Sequence, residues 1–273
     1  GLKIELSEEG LFTALSKIAL DHFSEDELKT SGAVHTPLGL ARHIVRQAHS
    51  SWKRQNTGKP EPKFIGDLGV GAGSFFYAFH VEGLGSNSSF VGIDKHMPSV
   101  LCAELIRIGI GEDWQLYCAD SLIGAGGKSG DPKVLQGLSL PEFELLVGNP
   151  PYVRSAILGQ EYISALRKQF PLLGAGNFDL SVAFLEQATR LLSPNGVFTY
   201  LTSSKFSNSK YGEGICQELR TNARVLSVED FGSAQVFPGF TAYVLIITVA
   251  NASPAKRFQV TSVDWLDDQK SLI

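Results

Sequence analysis

The stretch KFIGDLGVGAGSF, residues 63–75, runs from a short apolar segment through a glycine-rich turn into a helical pattern. The glycines of the turn, Gly69, Gly71 and Gly73, allow the backbone to bend sharply and to approach a ligand without a Cβ in between. A lone glycine-rich turn is weak evidence for any one ligand, but the absence of GKS or GKT excludes a P-loop. Asp67 at the start of the turn would face a positively charged group, which favours S-adenosylmethionine.

Outward from this stretch, apolar runs and helical patterns alternate along the chain. The predicted strands are 63–68, 90–93, 115–118, 144–148, 197–201, 225–231 and 242–250. Helices are predicted at 8–23, 37–49, 74–83, 98–109, 162–169, 179–192 and 211–222, with Pro-Asn-Gly at 194–196 ending the sixth of them, and 123–140 is predicted as a loop. The pattern predicts a Rossmann-like α/β fold, a seven-stranded, mostly parallel sheet with helices on both faces and an N-terminal helical cap. Ligands of such sheets bind outside the carboxyl ends of the strands.

Composition limits the classes of protein that fit. Of the 273 residues, 43% are hydrophobic, which suits one large α/β domain, and no apolar run approaches the ~20 residues of a membrane span. Cys102, Cys118 and Cys216 lie far apart, so we expect neither a disulfide framework nor a bound metal, and a cytoplasmic location. The net charge of -4 does not indicate a nucleic-acid surface by itself.

Acidic residues follow the second and third predicted strands. Asp94 is expected to accept hydrogen bonds from both ribose hydroxyls of a nucleotide cofactor, the alternative being a helix cap. Asp120 is expected to accept from an adenine amino group, although a turn-initiating role is equally compatible with the spacing. Ser121, beside it, is assigned to the same cofactor site.

The fourth predicted strand ends in Asn149-Pro150-Pro151-Tyr152. Two successive prolines end the strand and hold a rigid turn. The Asn149 side chain and the Pro150 carbonyl are suited to accept the two hydrogens of a planar amine and to aim its lone pair at a methyl donor. Tyr152 offers a stacking face for a base. The alternative is an Asn-Pro turn with an exposed Tyr.

Taken together, residues 33–250 resemble the adenine-N6 DNA methyltransferases, in the subgroup whose cofactor motif precedes the glycine-rich loop and which serves restriction-modification. The resemblance implies that Thr36-Pro37 contacts the methionine moiety of S-adenosylmethionine, and that Phe184 lines the cofactor pocket. The chain departs from the family in having Leu68 where Pro is common. By the same resemblance Phe237 packs against the flipped base opposite Tyr152, with Phe240 as an alternative for this role.

The function expected from the resemblance is methyl transfer from S-adenosylmethionine to N6 of a flipped adenine in double-stranded DNA. Methylation of a protein glutamine amide, of an RNA base amine or of cytosine N4, and an inactive nucleic-acid-binding scaffold, remain alternatives. We expect an N-terminal helical segment at 1–50 that carries the first cofactor motif, a catalytic domain at 51–253 and a tail at 254–273. That tail is too short for a target-recognition domain, so a truncated domain or a partner subunit is expected to supply one.

Overall fold

The computed structural model describes residues 7–22, 34–123, 134–135, 138–232, 236–237 and 243–262. Its helices are α1 (Glu8–Asp21), α2 (Leu38–Gln55), α3 (Ser74–Glu82), α4 (Met97–Ile110), α5 (Gln160–Gln169), α6 (Ser181–Leu191) and α7 (Glu213–Thr221). Its strands are β1 (Phe64–Asp67), β2 (Ser89–Asp94), β3 (Trp114–Cys118), β4 (Val134–Leu135), β5 (Leu138–Ser139), β6 (Phe143–Gly148), β7 (Leu192–Ser203), β8 (Arg224–Asp230), β9 (Val244–Ala250) and β10 (Gln259–Ser262). None of the helices in these ranges is long and apolar enough to cross a membrane.

The main sheet has the strand order β10-β8-β9-β7-β6-β1-β2-β3. β9 runs antiparallel to β7 and β8, and every other pairing in this sheet is parallel. The predicted α/β architecture is confirmed, but the sheet has eight strands where seven were predicted. The additional strand, β10, pairs with β8 and all four of its residues are exposed, so it carries no buried apolar face that a sequence pattern could reveal.

Both faces of the sheet are covered by helices, and the sequence of β6 shows why. Leu145 and Val147 point into one apolar core, which they share with α1, α2 and α3. Leu146 between them points into a second core, shared with α5, α6 and α7. Because successive side chains of a strand face opposite sides, a strand buried on both faces is apolar throughout. The α2 side chain of Trp52 is fully buried in the first core, so this helix forms a layer against the sheet.

The two predicted N-terminal helices are both present, and α1 packs in part through an aromatic contact. The rings of Phe12 in α1 and Tyr77 in α3 stack with centroids 4.3 Å apart.

Two local predictions differ from the structure. The predicted loop at 123–140 contains the small antiparallel pair β4–β5. Helix α6 ends at Leu191 and the chain becomes extended at Leu192, so the Pro-Asn-Gly sequence at 194–196 lies inside β7, where Asn195 adopts a φ of 60°.

Candidate active site

The carboxyl ends of β1, β2, β3 and β6 surround a cavity of about 990 Å³, its open mouth included. Of the residues assigned to cofactor binding or catalysis from the sequence, those that line it are Thr36, Gly69, Gly71, Asp94, Asp120, Ser121, Asn149 and Phe184. Those outside its lining are Pro37, Asp67, Gly73, Pro150, Tyr152 and Phe237.

The glycine-rich turn forms the floor of this cavity. A Cβ added to Gly69 would project into open space, so a side chain here would occupy the ligand volume. Gly71 has a φ of +53° and its N–H donates to Asp94 Oδ2 over 2.9 Å. Gly73 precedes α3 with a φ of +85°, and its Cβ would lie 3.1 Å from the ring of Trp114. The positive φ of Gly71 and Gly73 therefore requires glycine at these two positions. At Gly69 glycine is needed because a side chain would block the ligand's access to the backbone.

Asp67 lies beneath this floor with 1% of its surface exposed. Its Oδ1 accepts the N–H of Gly69 over 2.9 Å, and its Oδ2 has no hydrogen-bond partner within the described residues. Burial, with a smaller contribution from Asp94, raises the pKa of Asp67 to about 8, against the opposing hydrogen bond from Gly69. A buried carboxyl group with a spare acceptor is stabilised in its ionised form by a nearby cation. The ammonium group of S-adenosylmethionine fits this requirement.

Asp94 is half-buried at the end of β2 and holds two backbone groups. Its Oδ2 accepts from Gly71, and its Oδ1 accepts the N–H of His96 over 2.8 Å. Burial raises the pKa of Asp94. The cap of α4 is His96, whose side chain accepts from Ser99, so Asp94 does not cap the helix directly. Each carboxylate oxygen keeps a second lone pair, which leaves capacity for hydroxyl groups.

Asp120 starts a turn and lines the cavity at the same time. Its Oδ1 accepts the N–H groups of Leu122 and Ile123 over 2.9 and 3.0 Å. Its Oδ2 accepts the hydroxyl of Tyr162 in α5 over 2.7 Å. The hydroxyl of Ser121 donates to the carbonyl of Leu68 over 2.6 Å, which ties the end of β3 to the glycine-rich turn. The position of Asp120 is thus compatible with both roles expected from the sequence, that of a turn-initiating residue and that of an acceptor for an adenine amino group.

Asn149 connects the cavity to an aromatic pair. Its Nδ2 donates to Oγ1 of Thr36 over 3.1 Å, and its Oδ1 accepts from the hydroxyl of Tyr152. Burial raises the pKa of Tyr152 well above its usual value, so this hydroxyl keeps its proton and donates. The rings of Tyr152 and Phe237 have centroids 6.3 Å apart and an interplanar angle of 51°. Phe237 is 1% exposed, and Phe240 lies outside the described residues.

Several cavity residues carry no motif and were not assigned from the sequence. Ser16 and Ala19 come from α1, Lys95 and His96 follow β2, and Tyr162 comes from α5. The helical pattern at 8–23 indicates which residues of α1 point inward, but not that they reach a ligand cavity. His35, which also lines the cavity, stands next to Thr36, and burial lowers its pKa.

Comparison with known proteins finds similarity in sequence to restriction-modification methylases and in fold to S-adenosylmethionine-dependent methyltransferases. Residues 135–237 match the model of the Eco57I restriction-modification methylase. The type II methyltransferase M.BanIII of Aneurinibacillus aneurinilyticus is 30% identical over 219 residues, which are 77% of this chain and 37% of the relative. A putative class I S-adenosylmethionine-dependent methyltransferase of Listeria monocytogenes superimposes with a TM-score of 0.72 at 15% identity, over 98% of this chain and 78% of the neighbour.

A third structure, the DrdV–DNA complex, superimposes with a TM-score of 0.74 at 13% identity, over 98% of this chain and 32% of that one. The chain has the fold of class I S-adenosylmethionine-dependent methyltransferases, and its cavity lies at the carboxyl ends of the strands. In sequence the chain is similar to restriction-modification methyltransferases, and residues 135–237 carry the match to the Eco57I restriction-modification methylase. The chain spans less than two fifths of the length of M.BanIII.

Proposed function

We propose that this chain transfers a methyl group from S-adenosylmethionine to N6 of an adenine that has been extruded from double-stranded DNA. The observation that carries the proposal is the position of Asn149, which lines the cofactor cavity and also contacts Tyr152 of the aromatic pair. Bound S-adenosylmethionine supplies an electrophilic methyl group. The side-chain amide of Asn149 therefore lies between the expected site of the methyl donor and the expected site of the base that accepts the methyl group.

Asn149 would act by orienting the amine. An aromatic amine is a poor nucleophile because its lone pair is delocalised into the ring. When Asn149 Oδ1 and the Pro150 carbonyl accept its two hydrogens, the nitrogen turns toward tetrahedral geometry and its lone pair points at the methyl group. The hydrogen bond from Asn149 Nδ2 to Thr36 supports this by fixing the orientation of the amide. The rate gain comes from positioning and preorganised dipoles, without a strong base.

Tyr152 and Phe237 would hold the base between their rings. A ring inserted between two others needs ~7 Å between the outer planes, because carbon atoms in contact are ~3.5 Å apart. The two rings now have centroids 6.3 Å apart and are inclined by 51°, so they are not parallel. A base therefore enters only after the rings separate and Tyr152 rotates, which releases its hydroxyl from Asn149 Oδ1 and leaves that oxygen for the amine.

DNA as the substrate is supported by the match to a restriction-modification methylase model and by the DNA bound in the DrdV complex. Because M.BanIII is much longer than this chain, we propose that the target sequence is recognised by a further domain or by a partner subunit. Phosphate and base contacts would then be made chiefly outside the described fold.

The test is a transfer assay with tritiated S-adenosylmethionine, offered separately with duplex DNA, structured RNA and a peptide-release factor. Nuclease digestion followed by mass spectrometry identifies the product base. We expect N6-methyladenine in DNA, and a loss of about 100- to 1,000-fold in kcat for Asn149→Ala. Asn222→Ala, which changes an exposed asparagine at the end of α7, is the matched control and should keep full activity.

Labelling of RNA or of the release factor without labelling of DNA would contradict the choice of substrate. N4-methylcytosine as the product would support DNA as the substrate but would show that the methylated base is cytosine and not adenine. If neither S-adenosylmethionine nor its product binds in calorimetry, the chain is an inactive scaffold.

A further inference from the structure

Helix α5 lies in the segment between the Asn149–Tyr152 turn and α6, and it brings one polar side chain to the cofactor cavity. Its inner face is anchored by Ile163 and Leu166, which are 7% and 0% exposed. Arg167 fixes its last turn by donating to the carbonyl of Gly176 over 2.6 Å. Tyr162, next to Ile163, lines the cavity and donates to Asp120 Oδ2 over 2.7 Å.

The carboxylate of Asp120 is held at both oxygens. The two backbone N–H groups of the turn occupy Oδ1, and the hydroxyl of Tyr162 occupies one lone pair of Oδ2. A carboxylate with ~four acceptor positions keeps at least one of them for a ligand. Because the plane of the carboxylate is fixed on both sides, the direction of that remaining acceptor is fixed as well.

We infer that Tyr162 is a positioning residue for the cofactor, which orients Asp120 so that its remaining acceptor on Oδ2 receives the 6-amino group of the cofactor's adenine. The inference rests on the proposed function in taking S-adenosylmethionine as the cofactor, and on the sequence-based expectation that Asp120 receives its adenine amino group. Burial, and then the negative charge of Asp120, raise the pKa of Tyr162. Its hydroxyl therefore remains a donor throughout the neutral range and cannot exchange roles with the carboxylate.

The inference makes Tyr162 a determinant of specificity for the purine. A 6-amino group donates to the remaining acceptor of Asp120, whereas a 6-oxo group places a second acceptor there. The difference in affinity between the two purines depends on how firmly the carboxylate is held. When the hydroxyl of Tyr162 is removed, the carboxylate of Asp120 is held through Oδ1 and no longer through Oδ2, so the preference for the amino group falls.

The experiment is isothermal titration calorimetry of the full chain with two product analogues. One is S-adenosylhomocysteine, and the other is S-inosylhomocysteine, in which a 6-oxo group replaces the 6-amino group. We expect Tyr162→Phe to weaken binding of S-adenosylhomocysteine about three- to tenfold, the value of one hydrogen bond, and to change binding of S-inosylhomocysteine less than twofold. In the Asp120→Asn background the same change should have no further effect on the ratio of the two affinities.

The control is Tyr117→Phe, which removes a hydroxyl in β3 whose hydrogen bond within the described residues is a 3.5 Å contact with Gln115. It should leave both affinities unchanged. Equal losses for the two ligands in Tyr162→Phe would mean that Tyr162 only supports the cavity wall, and would overturn the inference. Failure of the unmodified chain to bind S-adenosylhomocysteine would overturn the proposed function as well, so the two failures are distinguishable.

Discussion

Oγ1 of Thr36 lies 3.1 Å from Nδ2 of Asn149, although the two residues are 113 positions apart in the chain. Thr36 is 4% exposed and precedes α2, while Asn149 follows β6. The segment before β1 therefore orients the side-chain amide of Asn149, which lies in the turn after β6. If this partner is lost, the half-buried amide is held only through Oδ1 by the hydroxyl of Tyr152, and its orientation is less closely fixed.

Replacement of Thr36 by Val tests this relationship, because it removes the hydroxyl and keeps the shape of the side chain. We expect kcat to fall about tenfold, since one hydrogen bond to a buried group contributes ~1 kcal/mol to the geometry. The affinity for S-adenosylmethionine should change less than kcat. Single-turnover kinetics measures the first quantity and calorimetry the second. A loss confined to cofactor affinity would show that Thr36 serves the cofactor alone.

Asp67 should couple cofactor binding to pH. Its folded-state pKa of about 8 is raised from 3.8, so the folded protein binds a proton that the unfolded chain has released between these values. The free energy of unfolding therefore falls as pH rises from about 4 to about 8. A cationic ammonium group favours the ionised form, so binding of S-adenosylmethionine at pH 7 should release close to one proton, and affinity should rise from pH 6 to pH 8. Calorimetry in buffers of different ionisation enthalpy measures the proton release.

The variant Asp67→Asn separates the effect of Asp67 on protein stability from its effect on cofactor affinity. It removes a buried charge and keeps an oxygen for Gly69, so the ligand-free protein should gain about 2–4 °C in Tm at pH 8 and lose the pH dependence. Its affinity for S-adenosylmethionine should fall at least tenfold. An unchanged affinity would remove Asp67 from the cofactor site.

Two glycines of the same turn should respond differently to alanine. Gly69→Ala adds a methyl group to the open cavity, so we expect an unchanged Tm and a cofactor affinity reduced at least tenfold. Gly73→Ala forces a side chain into a φ of +85° and against Trp114, so we expect about 1–3 kcal/mol of destabilisation. Thermal unfolding with and without S-adenosylhomocysteine distinguishes the two. If Gly69→Ala bound the cofactor normally, the ligand would lie elsewhere in the cavity.

Glu82 at the end of α3 joins that helix to α2 through Arg42 and Arg46. Hydrogen bonding from Arg46 and then from Arg42, against burial, lowers the pKa of Glu82 to about 2. A lowered pKa contributes stability above the unfolded value of 4.5, and this contribution is lost as pH falls from 4.5 toward 2. Because both arginines are partly exposed, Glu82→Gln should cost only about 1 kcal/mol at pH 7.

Urea unfolding at pH 7 and pH 3.5 measures this contribution, and the difference between Glu82→Gln and the unmodified protein should shrink at the lower pH. The matched control is Glu104→Gln, which removes a more exposed carboxylate that pairs with Arg107 within α4. Its cost should stay below about 0.5 kcal/mol. Equal costs for the two variants would mean that Glu82 adds nothing beyond a surface ion pair.

The parts of the fold that could be predicted are those that are determined by residues close together in the sequence. Leu145, Leu146 and Val147 are buried on alternate faces, so β6 appears in the sequence as an uninterrupted apolar run. Asp94 and Asn149 could be placed at one edge because the carboxyl ends of parallel strands meet there. β10 was missed because its exposed residues need no apolar pattern, and because its only cause is pairing with β8.

The contacts that complete the site were not predictable, since they join residues that are distant in sequence. Tyr162 reaches Asp120 across 42 positions. Its helical pattern indicates an inward side chain without indicating a partner. Ser16 and Ala19 of α1 likewise enter the cavity only because α1 packs beside α3 and α4. The sequence proposed residues for the chemistry of the site, and tertiary packing decides which other residues contact them.

The connection between β6 and β7 carries Asn149, Tyr152, Tyr162 and Phe184 on one continuous piece of backbone. Evolution cannot alter this piece for one ligand without disturbing the other, because it carries groups assigned to both. The connections after β1 and β2 supply only residues assigned to the cofactor, so they can drift separately. We therefore expect residues 149–191 to tolerate less change in their backbone than the connections after β1 and β2.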